Sequence, residues 1–145
     1  MTSPINYIWI ENTSLYRDSL AQVITEGLGE LRSKEAMEAW DANAISFLVA
    51  IDNQNHIIGC GAIGKFFMYK QSYFLAFNSV LKNYRGLDIG NTITQKRIER
   101  IKELGGCFIW SAGKDNWKRY TKFDFKYLCE LNSNGETHHL VIQGI

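Results

Sequence analysis

The chain has 145 residues, of which 46% are hydrophobic and 13% aromatic, and its formal net charge is +1. This composition excludes a disordered or low-complexity chain and predicts that residues 1–145 form a single packed domain. No apolar run approaches the roughly 20 residues of a membrane span, and the N-terminus has no basic segment followed by a cleavage pattern, so we expect neither a membrane partner nor a secretory signal.

The nearly neutral total conceals a difference between the two halves of the chain. Residues 1–60 carry eight Asp/Glu against three Lys/Arg, whereas residues 61–145 carry 13 Lys/Arg against seven Asp/Glu. This asymmetry predicts two surfaces with different partners, or solvated faces without a function. Cys60, Cys107 and Cys129 lie far apart in apolar, strand-like stretches, which indicates reduced, buried thiols and a cytoplasmic protein. No Cys/His spacing predicts a metal site.

The first part of the chain is predicted to form one strand and two helices. Residues 5–10 are typical of a short strand. From residue 15 the apolar side chains follow a helical period, and Ser14 is a suitable N-cap. Gly27 and Gly29 are expected to interrupt the chain before a second, acidic helix that ends near residue 43.

Strands dominate the middle of the chain. The apolar runs 44–52 and 56–64 flank Asn53–Asn55, which predicts a hairpin, and residues 72–81 are a third strong strand. A helix is predicted over about 89–104, with Arg97 and Arg100 intruding on its apolar face.

The last part of the chain alternates short strands with one short helix. Residues 107–111 predict a buried strand, and residues 115–123 predict a short basic helix capped by Asp115 or Asn116. Residues 126–131 and 137–143 predict a closing hairpin. The order β α α β β β α β α β β indicates an α+β domain: a mixed, mostly antiparallel sheet of about seven strands flanked by about four helices.

A strand, a tight glycine turn and a helix start follow one another in KNYRGLDIGNT, residues 82–92. The first backbone N–H groups of a helix have no intrahelical acceptor, and the helix dipole favours an anion beside them. Gly86 and Gly90 allow a bulky anion to approach, and Arg85 can contact a phosphate through two N–H groups. The bend has neither the G-x-x-x-x-G-K-[ST] nor the G-x-G-x-x-G pattern of the two common nucleotide loops. It therefore predicts a phosphate-binding turn of another type.

The turn resembles the signature of the GNAT family of N-acetyltransferases, often written Tyr-Arg-Gly-x-Gly-Ile-Gly. Residues 84–90 read Tyr-Arg-Gly-Leu-Asp-Ile-Gly, so five of the six specified positions match. Residues 120–125, Tyr-Thr-Lys-Phe-Asp-Phe, keep the tyrosine, lysine and final phenylalanine of the family's Tyr-Glu-Lys-x-Gly-Phe. Asp88 and Asp124 stand where the family has glycine. Together with the order of elements, the resemblance covers nearly the whole chain, most convincingly residues 45–130, and implies a GNAT-like fold.

The resemblance implies acetyl-CoA as co-substrate, lying between the fourth and fifth strands where these separate. The pyrophosphate would lie on the amides of residues 85–91, and the backbone of residues 79–81 would bind the pantetheine and polarise the thioester carbonyl. Asp88 is predicted to turn outward and leave those amides free. Lysines and arginines of the basic half would surround the phosphates. The implied cofactor-binding residues are Val80, Leu81, Lys82, Arg85, Gly86, Leu87, Asp88, Ile89, Gly90, Asn91, Asn116 and Lys122.

Acyl transfer to an amine needs a proton acceptor, a stabilised oxyanion and a proton donor for the leaving thiolate. The family pattern gives Tyr120 the role of general acid. Residues 72–81 contain no carboxylate that could act as the base; Asn78 and Ser79 could bind the acceptor or orient a water. The base stays open, and an amine whose proton leaves through water is an alternative. His138 and His139 are expected to face solvent at a sheet edge, and the last strand could pair across a homodimer.

The sequence is compatible with three functions. The first is an acyltransferase that moves acetyl to a primary amine of a small molecule or protein, with the acidic helices 14–41 favouring a cationic acceptor. The second is a catalytically weakened binding or regulatory module of the same fold, suggested by Asp88, Asp124 and the missing carboxylate. The third involves nucleic acid, either modified by the GNAT-like enzyme or bound by the basic half, which lacks a recognised motif.

Overall fold

The computed structural model describes residues 4–66, 71–114, 116–133 and 135–144. The described elements confirm the predicted order, and the fourth helix is a 3₁₀ helix. Asp115, considered as its cap, lies outside the described residues. The elements are β1 (Asn6–Ile10), α1 (Ser14–Leu28), α2 (Glu30–Asp41), β2 (Ile45–Ile51), β3 (Ile57–Lys65), β4 (Ser72–Val80), a 3₁₀ turn (Lys82–Tyr84), α3 (Ile89–Glu103), β5 (Phe108–Gly113), the 3₁₀ helix (Asn116–Phe123), β6 (Lys126–Ser133) and β7 (Glu136–Gly144).

The seven strands form one sheet in the order β1-β2-β3-β4-β5-β7-β6. Neighbouring strands are antiparallel except β4 and β5, which are parallel. The expectation that the last strand is an edge was wrong, because β7 lies between β5 and β6 and both of its sides are paired. The described edges are β1 and β6, so pairing of β7 across a dimer is excluded.

Helices cover both faces of the sheet. Buried side chains of α1 and α2, among them Leu20 and Trp40, pack with Phe47 and Val49 on one face. Ile89 and Ile93 of α3 pack with Leu48 on the other face. Because alternate residues of β2 face two apolar layers, this strand is apolar almost throughout its length. None of the described helices is long and apolar enough to cross a membrane.

Local signals placed the helix ends within a residue or two. Helix α1 begins at Ser14, so Thr13 takes the N-cap position that we expected for Ser14, without a side-chain capping bond. The chain runs through Gly27 in helical conformation and turns at Gly29, where φ is +95°. Gly29 alone therefore separates α1 from α2.

Hydrogen bonding between β3 and β4 is interrupted by a bulge. Cys60 pairs with Ser79 and Ala62 with Ala76, so Phe77 and Asn78 together lie opposite a single residue of β3. Phe77 has φ +52°, a conformation that side-chain-bearing residues adopt rarely. The thiol of Cys60, which is fully buried, donates to the Phe77 carbonyl at 3.4 Å. Burial raises the pKa of the Cys60 thiol to about 12, which keeps it a neutral donor.

Arg97 satisfies further carbonyl groups at this bulge. Its side chain lies in phase with Ile93 and Ile101 on the apolar face of α3 and is completely buried. Its Nη1 donates to the carbonyls of Ala62 at 3.0 Å and Ala76 at 3.4 Å, which belong to the two strands on either side of the bulge. Arg100, the other arginine expected on this face, is exposed and pairs with Glu103.

The G-x-G-x-x-G spacing, absent from the bend, occurs at Gly59–Gly64 within β3. There it forms no dinucleotide turn, because the whole stretch is one strand. The glycines instead admit large neighbours: a Cβ on Gly61 would lie 2.7 Å from Cζ of Arg97 and 2.8 Å from Cγ2 of Ile93. A Cβ on Gly64 would collide with the ring of Phe74.

We predict that Gly61→Ala lowers the free energy of unfolding by about 1–3 kcal/mol, the usual effect of overpacking a core. The buried guanidinium is held by hydrogen bonds and Ile93 is β-branched, so neither can move aside cheaply. Gly144→Ala is the matched control, because its Cβ would meet only ordinary contacts at 3.8 Å and beyond. Urea unfolding of both variants measures the difference, and equal stabilities would refute the close packing of Arg97 on Gly61.

Candidate active site

The separation of β4 from β5 opens the interior of the sheet. The two strands pair only from Ser72↔Phe108 to Leu75↔Ser111, and beyond that point each continues without the other. Two cavities lie at this gap and share Gly27 and Asn78 in their walls. We call the smaller, of about 440 Å³ beside the start of α3, the α3 cleft, and the larger, of about 1280 Å³, the aromatic cavity.

The glycine turn forms one wall of the α3 cleft. Gly86 has φ +89° and Asp88 has φ +64°, which turns the chain into the first residue of α3. The carboxylate of Asp88 makes no capping bond to a backbone amide; instead it accepts a hydrogen bond from Nδ2 of Asn91 at 2.6 Å. The first-turn amides of α3 therefore stay available to an anion, as predicted, and Asp88 is exposed.

Arg119 forms the opposite side of the α3 cleft. It comes from the 3₁₀ helix, and with the Asn78 amide oxygen turned towards it, Nη1 donates to that oxygen at 2.8 Å. Its Nη2 lies 3.5 Å from Oδ1 of Asn91. A Cβ on Gly90 would lie 2.9 Å from the same Nη2, so a side chain at Gly90 would displace the guanidinium. Arg119 has no carboxylate partner among the described residues, and its charge therefore faces the cleft uncompensated.

Most of the predicted cofactor-binding residues lie in this wall. The cleft is lined by Val80, Arg85, Gly86, Asp88, Ile89, Gly90 and Asn91, together with Asn78 and Ser79. Four others lie outside the lining. Leu81 donates its amide to the Ile58 carbonyl at 2.9 Å, Leu87 is half exposed, and Lys82 and Lys122 are exposed on the two 3₁₀ segments. Asn116 begins the 3₁₀ helix, and its side chain lies outside the described part of the structure.

Ser79 is placed differently from its expected role. It is 4% exposed, and its hydroxyl donates to the Val23 carbonyl of α1 at 2.8 Å. A Cβ on Gly27 would collide with this hydroxyl, so the absence of a side chain there lets α1 approach β4. The geometry supports a helix-docking role for the Ser79 side chain rather than contact with an acceptor.

The aromatic cavity has apolar walls from three strands. Phe74 and Phe77 of β4, Phe66 after β3 and Trp110 of β5 line it, and the Phe66 and Trp110 rings lie 5.5 Å apart. Tyr120 lines the same cavity but is only 4% exposed, because its ring also packs in the core on the α3 side. The structure thus supports both readings of Tyr120, a core aromatic and a side chain that reaches the gap.

Arg97 and Tyr120 interact beneath the gap. Burial lowers the pKa of the Arg97 guanidinium, and the neighbouring Tyr120 hydroxyl opposes that shift. A guanidinium can only donate hydrogen bonds. A hydrogen bond between the two groups would therefore place the Tyr120 oxygen on the accepting side.

The acidic side chains of α2 do not line the aromatic cavity, although α1 and α2 contribute Gly27, Leu28 and Arg32 to its wall. Glu30, Glu35 and Glu38 are absent from the described lining, which instead includes Arg32, Lys65, Lys114 and His138. The expected anionic acceptor surface is therefore wrong for this cavity. His138 lines the cavity rather than facing bulk solvent at a sheet edge, and 22% of its side chain is exposed.

The sequence does not single out three residues of the site. Gly27 is distant in sequence from the motif, Arg119 is one of several cations of the basic half that are expected around the phosphates, and His138 is expected to face solvent at a sheet edge. The signal for Gly27 was a glycine within a helical period. Arg119 lies directly before the motif tyrosine. Among the described residues no group of three or more His, Cys, Asp or Glu side chains is arranged to hold a metal ion.

Solved structures of similar fold are acetyltransferases. An aminoglycoside 6′-N-acetyltransferase complexed with coenzyme A superposes with a TM-score of 0.81 at 16% identity, covering 97% of this chain and 96% of that chain. A GNAT family acetyltransferase from Elizabethkingia anophelis with acetyl-CoA bound gives 0.74 at 15% identity, covering 97% and 98%. An acetyltransferase of the GNAT family from Staphylococcus aureus Mu50 gives 0.73 at 18%, covering 97% and 99%.

Comparison with curated protein sequences gave no match. The model of the acetyltransferase (GNAT) family, however, matches residues 11–125, which is most of the chain. That range includes the glycine turn, the separated strands and Tyr120. This chain belongs to the GNAT family of acetyltransferases.

Proposed function

We propose that the protein is an acetyl-CoA-dependent N-acetyltransferase that transfers acetyl to a primary amine by direct attack in a ternary complex. The observation that carries this proposal is the continuity of the gap between β4 and β5. The α3 cleft offers donors for a polyanion, the aromatic cavity offers room for an acceptor, and Gly27 and Asn78 belong to both walls. Two ligands entering from opposite sides would meet beside the bulge.

The α3 cleft has the chemistry of a pyrophosphate site. First-turn amides of α3, Arg85 and Arg119 supply donors, and the one carboxylate in the lining, Asp88, is hydrogen-bonded to Asn91. Relatives of the same fold bind coenzyme A or acetyl-CoA. In this proposal the CoA pyrophosphate lies on the glycine turn and the pantetheine follows the unpaired side of β4 towards Asn78.

Tyr120 is the general acid of this proposal. It donates its proton to the thiolate sulfur as the carbon–sulfur bond breaks, with the Arg97 guanidinium nearby. Backbone N–H groups of β4 at the bulge polarise the thioester carbonyl and stabilise the oxyanion. Asn78, held between Arg119 and the Cys60 carbonyl, orients the reacting groups rather than exchanging protons, because an amide side chain does not titrate.

We predict that Arg119→Gln weakens coenzyme A binding about tenfold or more, because it removes a charge-assisted hydrogen bond to phosphate. Lys118→Gln is the matched control: it removes the same charge from the neighbouring residue, which lines neither cavity. Isothermal titration calorimetry with coenzyme A and with pantetheine separates the phosphate contribution. The Arg119 loss should disappear with pantetheine, and equal losses in both variants would contradict the assignment.

We predict that Tyr120→Phe lowers kcat about 100-fold or more with little change in acetyl-CoA affinity, the usual effect of removing a general acid. Release of free CoA in the presence of an amine panel measures the turnover. Because the ring is part of the core, the phenylalanine variant keeps the packing and removes only the hydroxyl. Full turnover in Tyr120→Phe would exclude the general-acid role, and no turnover of wild-type protein with any amine would exclude the proposed function.

A further inference from the structure

We propose that the acceptor is a primary amine that carries a carboxylate on an apolar body of aromatic size. The inference rests on the proposed acetyl transfer and concerns the aromatic cavity. It replaces the cationic acceptor that the acidic helices suggested. Three observations carry it: the walls of the cavity, the charges at its rim, and the distribution of ion pairs around those charges.

The walls fit a flat apolar group. Phe66, Phe74, Phe77 and Trp110 contribute aromatic rings from three successive chain segments. Trp110 and Phe66 both line the cavity, and their ring centroids lie 5.5 Å apart at an interplanar angle of 32°. A polyamine or a lysine side chain would leave most of this apolar surface uncovered.

The charges at the rim fit an anion. Arg32, Lys65 and Lys114 line the cavity, whereas the described lining contains no Asp or Glu. Arg32 pairs with Glu35 at 2.8 Å and Lys114 with Glu136 at 2.7 Å, so these two cations are partly compensated. Lys65 has no ion-pair partner among the described residues. The carboxylate of the acceptor is therefore assigned to the side of the cavity where Lys65 lies.

The same positive charges favour the neutral form of the acceptor amine, which is the form that attacks the thioester. An acceptor amine must be neutral to attack the thioester, and nearby positive charge disfavours the ammonium form. Arg97 and Arg119 add to this effect at the inner end of the gap, where Asn78 is shared by both cavities. A carboxylate on the acceptor offsets the repulsion at the rim while the reacting amine stays near the cationic end.

Matched acceptors test the inference. Phenylalanine and phenethylamine differ in the carboxylate alone, and spermidine represents a polycation. We expect kcat/KM for phenylalanine to exceed that for phenethylamine about tenfold or more, as for a charge-assisted hydrogen bond, and that for spermidine to be lower still. A value for phenethylamine or spermidine equal to or above that for phenylalanine would overturn the proposal.

Variants of Lys65 test which side binds the carboxylate. Lys65→Gln should raise KM for phenylalanine about fivefold, as for an exposed ion pair, and leave KM for phenethylamine unchanged. Lys65→Glu should reverse the preference between the two acceptors. Lys102→Gln, an exposed lysine of α3 that lines neither cavity, is the control and should change nothing. Equal effects on both acceptors would overturn the assignment of Lys65.

A failure of the proposed function can be told apart from a failure of this inference. If coenzyme A binds but no amine is acetylated, binding of N-acetylphenylalanine and N-acetylphenethylamine in the presence of coenzyme A still tests the cavity by thermal shift. Tighter binding of the carboxylate-bearing compound supports the acceptor class without catalysis. Equal binding of the two compounds would overturn it.

A separate observation assigns the missing base. We infer that His138 accepts the amine proton. The other ionisable side chains in the described lining of the aromatic cavity are Arg32, Lys65, Lys114 and Tyr120, and that lining contains no carboxylate. Histidine is the one class among these that both accepts and releases a proton near pH 7.

Neighbouring groups orient the imidazole. Its Nε2 lies 3.5 Å from Oε2 of Glu136, two residues earlier on the same strand, and the other oxygen of that carboxylate contacts Lys114 of the segment after β5. The Lys114 ammonium lowers the pKa of Glu136, so this carboxylate stays ionised. On β6 the residue paired with His138 is Leu131, which carries no charge. The tautomer with Nε2–H towards Glu136 leaves Nδ1 to accept the proton.

The proton balance closes without a further reactant. As the amine nitrogen bonds to the acetyl carbon, its proton passes to Nδ1 of His138, and Tyr120 gives its proton to the departing sulfur. The imidazolium then releases its proton to solvent and the phenolate takes one up. The net products are the N-acetyl amide and the thiol form of coenzyme A.

We predict that His138→Gln lowers kcat/KM for the acceptor about 100-fold or more at pH 7, the usual contribution of a general base. The deficit should shrink as the pH is raised to 9, because more of the amine is then already neutral. His139→Gln is the matched control: it removes the adjacent histidine, whose ring stacks on Trp117. His139→Gln should keep wild-type turnover and the wild-type acid limb of the pH–rate profile, whereas the activity of His138→Gln should fall more steeply towards low pH.

A deficit that does not change with pH, or turnover in His138→Gln within threefold of wild type, would overturn the assignment. Coenzyme A binding by both variants reports whether they are folded. If His138→Gln does not fold, Glu136→Gln at the exposed start of β7 gives the test. As a positioning residue, Glu136 should affect kcat and the acid limb without changing KM for acetyl-CoA, and an unchanged pH profile would count against the pair.

Discussion

The site depends on the interruption of backbone pairing in β4. Where β4 leaves β5 after Leu75 and bulges away from β3 at Phe77, three backbone carbonyl groups accept hydrogen bonds from side chains. A buried carbonyl without a donor costs about 1–3 kcal/mol, so such a gap persists only where side chains supply the missing donors. Arg97 and Cys60 supply them here. The opening into which ligands enter and the buried side chains beneath it are one structural unit.

This arrangement explains a buried arginine without a carboxylate. A guanidinium that donates to two carbonyl groups and to the Thr94 hydroxyl retains its charge although burial lowers its pKa, because hydrogen bonds replace part of its hydration. A carboxylate partner would neutralise it and would place negative charge beneath the cofactor. The carbonyl dipoles compensate the charge only in part. Positive potential therefore remains below the gap, where a thioester oxygen and a thiolate would develop negative charge.

The fold was largely predictable because its signals are local. Periodicity, turn residues and caps identified the seven strands and four helices in order, and the motif located the glycine turn at residues 84–90. The site was predictable only in part, because its remaining residues meet through the register of distant strands. His138 reaches the cavity because β7 is inserted between β5 and β6, an exchange of order that no local pattern reports.

The helical periodicity of α3 does not by itself predict whether the Arg97 side chain is buried. The sequence marked it as a cation on an apolar stripe, and the usual interpretation is a side chain that reaches around to solvent. Its burial could be predicted only from the bulge that lies opposite, and that bulge depends on the register between β3 and β4. The acidic helices misled for a similar reason, since Glu30, Glu35 and Glu38 lie on α2 but outside the cavity wall.

Glycine positions of the family pattern have two different structural requirements in this chain, one on backbone conformation and one on space. Asp88 and Asp124 replace glycine and adopt φ +64° and +65°, so what the turn requires at these positions is a left-handed backbone, which aspartate can provide. At Gly90 the requirement is steric, because a Cβ would lie 2.9 Å from Nη2 of Arg119. The first kind of position tolerates a small polar residue without loss of the turn. The second does not, because a side chain there would displace the guanidinium that faces the cleft. Both aspartates keep the left-handed backbone conformation, which is why they do not by themselves argue for a weakened site.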